Sequence, residues 1–593
     1  YRPDRRFQPT IAISPDGSSV AYSENLTGQY NLVVTQLADG SSRRLTDYAD
    51  ATVRDIRWSA DGAHLIFAAD TNGDESHQVR RIAASGGEIE SLTDSPGVQF
   101  FLGVVSPDGT WISYAGNDRE PADQDILIRN LITGEVRRIY ADGGMTFAGE
   151  WAPDGQRLLA VRADGNTEQT IYVLDADGIE AEQVLPEKGA PLPFATPGPW
   201  LPDGTGFLAL TDTGRDFVGL ARVDVSSREL DWVMTPDWDI ESVHVAERGD
   251  VICWAVNVNG ISELHAAHWT ADGLGDEIAL PEMPRGMISA LSLDATGTRI
   301  AALISTGARP QNAMVIDLER AGITWLTDTG AAVTSVTIEP ELVTFPAYDG
   351  REIPAWLYKP TGDGPFPTVL SIHGGPEAQE RPTYNYGGLY QYLLANGVAV
   401  VAPNVRGSNG FGRTYQRLIL RDWGGDDLRD FEAAAQFIQG SSWADADRVG
   451  VFGGSYGGFA TLSCLSRLPQ YFACGVDIVG PSNLVTLAKS VPPTWRATMV
   501  DWVGDPDTEA DFLLSRSPIT YADQIVAPLY VIQGANDPRV NKAESDGIVA
   551  ALRARGVEVR YDVYDDEGHG FTRKENEARA MGDSADFLLS HLR

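Results

Sequence analysis

Along the first half of the chain, short apolar runs alternate with polar turns at a nearly constant interval. Ser19-Val20-Ala21-Tyr22 and His64-Leu65-Ile66-Phe67-Ala68 each follow an Asp-Gly turn, and alternating stretches such as Asn31-Leu32-Val33-Val34-Thr35 come next. The turns read Ser14-Pro15-Asp16-Gly17, Ser59-Ala60-Asp61-Gly62, Ser106-Pro107-Asp108-Gly109, Ala152-Pro153-Asp154-Gly155 and Leu201-Pro202-Asp203-Gly204, with weaker copies ending at Gly249 and Gly297. Their glycines are separated by 45, 47, 46, 49, 45 and 48 residues. Four short strands per unit at this period predict an all-β propeller, and seven turns predict seven blades. Gly suits the positive φ of such hairpins and Asp bonds the local backbone, so the turns carry no chemistry. Trp58, Trp111 and Trp151 read as blade packing. His265 and His268, three apart on a strand, would face opposite sides and make no metal site.

After Trp325-Leu326-Thr327-Asp328 the repeat stops, and strands begin to alternate with longer amphipathic segments. Phe366–Ile372, Gly397–Ala402 and Leu529–Gln533 are strand-like, while Asp427–Gln439 places Leu428, Phe431, Ala434, Ala435 and Ile438 on one helical face. The expectation is a propeller over residues 1–337 and an α/β-hydrolase domain with a mostly parallel sheet over 338–593.

Candidate chemistry lies in the second part. Gly453-Gly454-Ser455-Tyr456-Gly457 follows the apolar run Arg448–Phe452 and precedes a helix-like stretch, the context of a nucleophile elbow. Asp537 ends the strand-like Tyr530–Asn536, and His569 follows another strand within Gly568-His569-Gly570. Ser, Asp, His is the chain order of α/β-hydrolases, here with intervals of 82 and 32 residues. A serine hydroxyl needs an imidazole to take its proton and a carboxylate to fix that imidazole. The Tyr456 amide and that of Gly375, in His373-Gly374-Gly375-Pro376, are the expected oxyanion donors; His373 is read as bonding within its loop.

Composition narrows the partners. Net charge is −37, from 83 acidic against 46 basic residues, which argues against nucleic acid or an anionic membrane. No apolar run is long enough to span a bilayer. Three scattered cysteines, Cys253, Cys464 and Cys474, favour a reducing compartment, so cytoplasmic is the default expectation, although a Tyr at position 1 leaves room for a removed leader. No metal or organic cofactor is implied. Self-association into a homo-oligomer is left open.

The chain resembles the prolyl oligopeptidase family of serine peptidases, near its acylaminoacyl-peptidase and aminopeptidase branch. The resemblance spans both halves and rests on His373–Pro376, Asn404–Gly412, Asp422-Trp423-Gly424, Gly453–Gly458, Asn536–Val540 and Glu567–Gly570. It implies an exopeptidase that hydrolyses short peptides or aminoacyl amides through an acyl-enzyme, removing an N-terminal or N-acylated residue, with the propeller restricting access. It also implies that Arg539 binds a substrate carbonyl. Glu377 and Glu380 are the candidate partners for a substrate ammonium, with Glu380 read more readily as a solvated loop residue. Trp495, Trp502 and Val540 are candidates for an apolar wall. The double-Glu motif of dipeptidyl peptidases is not recognisable, which disfavours that branch. The alternatives are a carboxylesterase on the same three residues and a non-enzymatic propeller scaffold.

Overall fold

The computed structural model describes residues 1–270, 273–330 and 338–593. Among these residues twenty-eight strands form seven four-stranded antiparallel sheets in strict chain order, which is the seven-bladed propeller expected from the repeat. The boundary expected at 337/338 lies at the edge of residues 331–337, outside the described residues. In the first five turns and the seventh the glycine has φ between +66° and +72°, and Asp16 accepts from the Ser18 amide at 3.0 Å, closing the hairpin locally. Gly249, in a weaker copy, is not in the left-handed region.

The repeated tryptophans join blades. The Trp58, Trp151 and Trp200 indole N–H groups donate to the carbonyls of Ala12, Val104 and Glu150 on the preceding blade, at 2.9–3.0 Å. A net ~1 kcal/mol per bond adds to burial of the ring. Trp111 instead lies under the Arg137 guanidinium. Within the sixth blade His265 stacks on Trp254, while the exposed His268 reaches Asp250. Among the described residues no strand is exchanged between the first and last blades. The ring closes there through Phe7, Ile11 and Tyr22 packed on Leu303 and Val315, and through Arg299, which donates to the Gly17 carbonyl at 2.6 Å.

The remaining eight strands form one sheet. A leading antiparallel hairpin, Glu341–Pro346 and Glu352–Tyr358, is followed by Ala399–Pro403, Phe366–Ile372, Ala444–Gly454, Cys474–Ile478, Leu529–Gly534 and Val559–Tyr564 in spatial order; the last five junctions are parallel. Successive strand residues face opposite layers. Leu370, Val451 and Val531 pack with the helices Asp426–Gly440, Tyr456–Arg467 and Ala543–Ala554. Their neighbours Val369, Phe452 and Ile532 pack with Leu389–Ala395 and Lys574–Leu592. This buried, helix-covered sheet puts the carboxyl ends of its central strands at one edge, where sites cluster in such folds.

The propeller faces that edge with acids, and the hydrolase domain answers with arginines. Arg413 pairs with buried Asp212 at 3.0 Å, Arg381 with Glu241 at 2.7 Å, and Arg417 with Glu168.

Candidate active site

Ser455 sits between the strand Ala444–Gly454 and the helix Tyr456–Arg467 with φ 58° and ψ −120°. Such a backbone is strained for a residue with a side chain and persists only where its surroundings fix it. Here they do: a Cβ on Gly457 would lie 2.1 Å from the Ile372 carbonyl oxygen, and one on Gly453 2.3 Å from that of Gly457. The Ser455 amide is itself engaged with the Ile478 carbonyl at 2.8 Å. Tyr456 is the first residue of its helix, where an N–H has no intrahelical acceptor.

Asp537, His569 and Ser455 form one hydrogen-bonded chain. Imidazole Nδ1–H donates to Asp537 Oδ2 at 2.7 Å, and the Ser455 hydroxyl donates to Nε2 at 2.8 Å. A carboxylate only accepts, so Asp537 selects the tautomer that leaves Nε2 free to take a proton. The other oxygen, Oδ1, accepts from the amides of Arg539 and Val540 at 2.8 and 2.9 Å, which fixes the carboxylate plane. Two other acids of this domain are engaged elsewhere: Asp505 accepts from the Thr508 hydroxyl, and Asp566 pairs with Arg573.

The loop bearing His569 is tied from both sides. Buried Glu567 accepts from the Thr572 and Arg573 amides and from Asn576 at 2.7–3.0 Å. On the other side the second-blade hairpin meets it backbone to backbone. A Cβ on Gly73 would lie 2.8 Å from the Gly568 nitrogen, and Arg573 donates to Asn72 at 3.1 Å. The propeller thus packs directly against the residue preceding His569.

The loop His373–Pro376 runs past the nucleophile, since a Cβ on Gly374 would lie 3.6 Å from Ser455 Cβ. His373 Nδ1–H donates to the Gly374 carbonyl at 2.7 Å, and Nε2 lies 2.9 Å from Ser408 Oγ. That carbonyl and the Gly375 N–H belong to one peptide unit, so the imidazole fixes the plane of the expected donor. Burial pushes His373 below its ordinary pKa, in keeping with a neutral ring inside the loop.

The other expected residues separate into several groups. Arg539 pairs through Nε with Glu75 of the propeller at 2.8 Å and lies over the half-buried Trp495 ring at 5.3 Å. Glu377 is bridged to the propeller by Asn166, whose amide donates to Oε2 at 2.7 Å, while Oε1 is buried with no hydrogen-bond partner among the described residues. The Trp502 indole lies beside the carboxyl group without reaching bonding geometry. Burial, slightly relieved by Asn166, pushes the Glu377 carboxyl up to about 7. Val540 is buried in the main core and offers a substrate little surface; its amide serves Asp537 instead. Glu380 departs from the solvated reading. It is buried, accepts from Asn385 at 2.6 Å and Tyr390 at 3.3 Å, and is pushed up to about 8 by burial. Sequence reasoning missed Glu75 and Asn166. Each lies in an inter-strand turn of the propeller (Asn72–His77 and Asp164–Glu168), and neither carries a motif.

Comparison with known proteins agrees with this architecture. The family model described as prolyl oligopeptidase family matches residues 385–593. Dipeptidyl aminopeptidase BIII of Pseudoxanthomonas mexicana is 31% identical over 598 residues, covering 95% of this chain and 84% of that protein. The acylamino-acid-releasing enzyme of Sus scrofa is 28% identical over 255 residues, 41% of this chain and 34% of that enzyme. A puromycin-hydrolysing peptidase of Mycobacterium tuberculosis superposes with a TM-score of 0.85 at 20% identity, over 100% of this chain and 95% of that one, a likeness of fold. Similarity at this level along nearly the whole length shows that the chain belongs to the prolyl oligopeptidase family of serine peptidases.

Proposed function

We propose that the chain is a serine exopeptidase acting on short peptides or aminoacyl amides. The observation that carries this reading is the continuous Asp537–His569–Ser455 hydrogen-bonded chain at the elbow. Ser455 attacks the scissile carbonyl while His569 takes its proton, and Asp537 holds the imidazole and steadies the cation that forms. The amides of Tyr456 and Gly375 receive the oxyanion. His569 then returns the proton to the leaving amine, and water, activated by the same imidazole, releases the acyl group. Arg539 binds a carbonyl of the substrate beyond the scissile bond. The propeller, packed against both the His569 loop and Glu377, keeps folded proteins away from the serine.

Glu377 favours a free amino terminus. Its orphaned oxygen is a waiting acceptor close to the oxyanion loop, and an unpaired buried carboxylate gains most from a cation. Dipeptidyl and acylaminoacyl enzymes both occur among the relatives, so the two classes of amino terminus must be compared directly. A free aminoacyl or dipeptidyl anilide should be turned over faster than its N-acetylated twin, with Ser455→Ala as the blank.

The pH dependence follows from Glu377. With its pKa near 7, the carboxyl is neutral below that pH and anionic above it. A peptide α-amino group loses its proton near pH ~8. The ratio of kcat/KM for free over acetylated substrate should therefore rise through pH 7 and fall above about 8. The Ser455, His569 and Asp537 machinery is common to both substrates, so its own response to pH cancels in the ratio. Glu377→Gln should flatten it. Faster turnover of the acetylated twin at every pH would make the enzyme an acylaminoacyl peptidase, and cleavage of esters alone would make it a carboxylesterase.

A further inference from the structure

The helix Asp426–Gly440 begins with two acids, and the second has no part in the chemistry described above. Asp427 is fully buried. Its Oδ2 accepts from the Tyr456 hydroxyl at 2.6 Å and from the Gly424 amide at 3.0 Å, and its Oδ1 accepts from the Leu428 amide at 2.8 Å. The Gly424 carbonyl is held in turn by Arg467 at 2.7 Å. Gly424 has φ +67°, and a Cβ there would lie 2.5 Å from Arg467 Nη2, so this turn has little freedom to move.

Two parts of the site hang on this carboxylate. One is Tyr456, whose amide is the proposed oxyanion donor and whose side chain is 1% exposed. The other is Trp423, beside Gly424. Its ring meets the Tyr456 ring edge-on at 5.1 Å and the Trp502 ring edge-on at 5.1 Å. Trp502 flanks Glu377. A single buried acid is therefore bonded directly to Tyr456 and reaches Trp502, the expected apolar wall, through Gly424 and Trp423. A burial this complete is costly for a carboxylate unless its partners are fixed, and here three donors converge on it.

We propose that Asp427 is a positioning residue for the oxyanion hole. Its carboxylate fixes the Tyr456 side chain at the start of the elbow helix, which sets the direction of the Tyr456 N–H. Through Gly424 and Trp423 it also sets the place of Trp502. The assignment rests on the serine-peptidase reading of Ser455. Amide N–H groups stabilise an oxyanion only if aimed before the charge appears, so a small tilt lowers kcat and leaves ground-state binding little changed.

The test is a double-mutant cycle of Tyr456→Phe and Asp427→Ala, with Asp427→Asn as the conservative variant. Folding is checked by thermal unfolding, and kinetics are read well below the transition. Tyr456→Phe keeps the ring and the amide and removes only the hydroxyl. It should lower kcat on an aminoacyl anilide about tenfold or more, with KM within about threefold. Asp427→Ala should lower kcat further, toward the ~10²-fold loss of an oxyanion donor, and the double variant should be no slower than Asp427→Ala alone. Asp427→Asn, which still offers one acceptor, should fall between. The rate of fluorophosphonate labelling, which also builds negative charge on an oxygen at Ser455, should drop by the same factors. That second readout separates failure of this proposal from failure of the peptidase reading, because labelling needs no amide turnover. Unchanged kcat and labelling in a folded Tyr456→Phe would overturn the proposal. So would losses in the two single variants that simply multiply in the double, or lowered stability with no kinetic change. If Asp427→Ala does not fold, Tyr456→Phe and Asp427→Asn decide the matter alone.

Discussion

Asp537→Asn should lower kcat on an aminoacyl anilide by about four orders of magnitude while KM stays within a few-fold. The structure dictates how the new amide would sit. Oδ1 accepts from two backbone N–H groups, those of Arg539 and Val540, so the amide oxygen must take that position. The NH₂ group is then forced to the Oδ2 position, facing His569 Nδ1 2.7 Å away. An amide nitrogen there donates, so the imidazole must present a lone pair at Nδ1 and carry its proton on Nε2. That tautomer points a proton at Ser455 Oγ and cannot accept one. The side chain keeps its volume and two of its hydrogen bonds, so the fold should be nearly as stable as before. Steady-state kinetics and thermal unfolding on the same preparation check both halves. A loss smaller than tenfold would mean that His569 is not held in its working tautomer by Asp537.

Arg539→Ala should raise KM for peptide anilides about 10- to 100-fold, the worth of a charge-assisted hydrogen bond of about 1.5–3 kcal/mol. Glu75 faces Nε as an ion-pair partner at 2.8 Å without hydrogen-bond geometry and the guanidinium lies over the Trp495 ring, so one carboxylate does not use all five donors. The donors left over are those assigned to a substrate carbonyl. Glu75 orients the group, and its own loss should matter less: Glu75→Gln should change KM by under about tenfold, since a part-exposed ion pair contributes modestly. Comparing the two variants separates carbonyl binding from a tie between domains. Equal KM values for both, with only the unfolding temperature lowered, would leave Arg539 as an interdomain ion pair. Arg539→Lys should not rescue, because an ammonium cannot satisfy Glu75 and a carbonyl in one plane.

Much of this molecule is legible along the chain because its determinants are local. The propeller announces itself through the Asp-Gly turns, and each turn forms from residues within five positions of one another. The elbow is equally local, with the glycines demanded by backbone contacts at 453 and 457. The order of Ser455, Asp537 and His569 is legible because each follows a strand in the parallel part of one sheet. What lies between domains is different in kind. Glu75 and Arg539 are 464 positions apart, Asn166 and Glu377 are 211 apart, and no periodicity in either segment marks the partner. Glu380 was misread for a related reason. Its partners Asn385 and Tyr390 are close in sequence, yet only the packing of the Leu389–Ala395 helix against the sheet removes it from water. Val540 shows the same limit, since a valine beside a candidate aspartate reads equally as wall or as core.

The central claim is that amide hydrolysis passes through Ser455. The most direct measurement follows hydrolysis of an aminoacyl anilide while a fluorophosphonate is added stoichiometrically, with the modified peptide located by mass spectrometry. The account predicts one adduct per chain, on Ser455, amide turnover falling in proportion to labelling, and neither labelling nor turnover in Ser455→Ala. Amide turnover that survives complete labelling, or persists in Ser455→Ala, would contradict it.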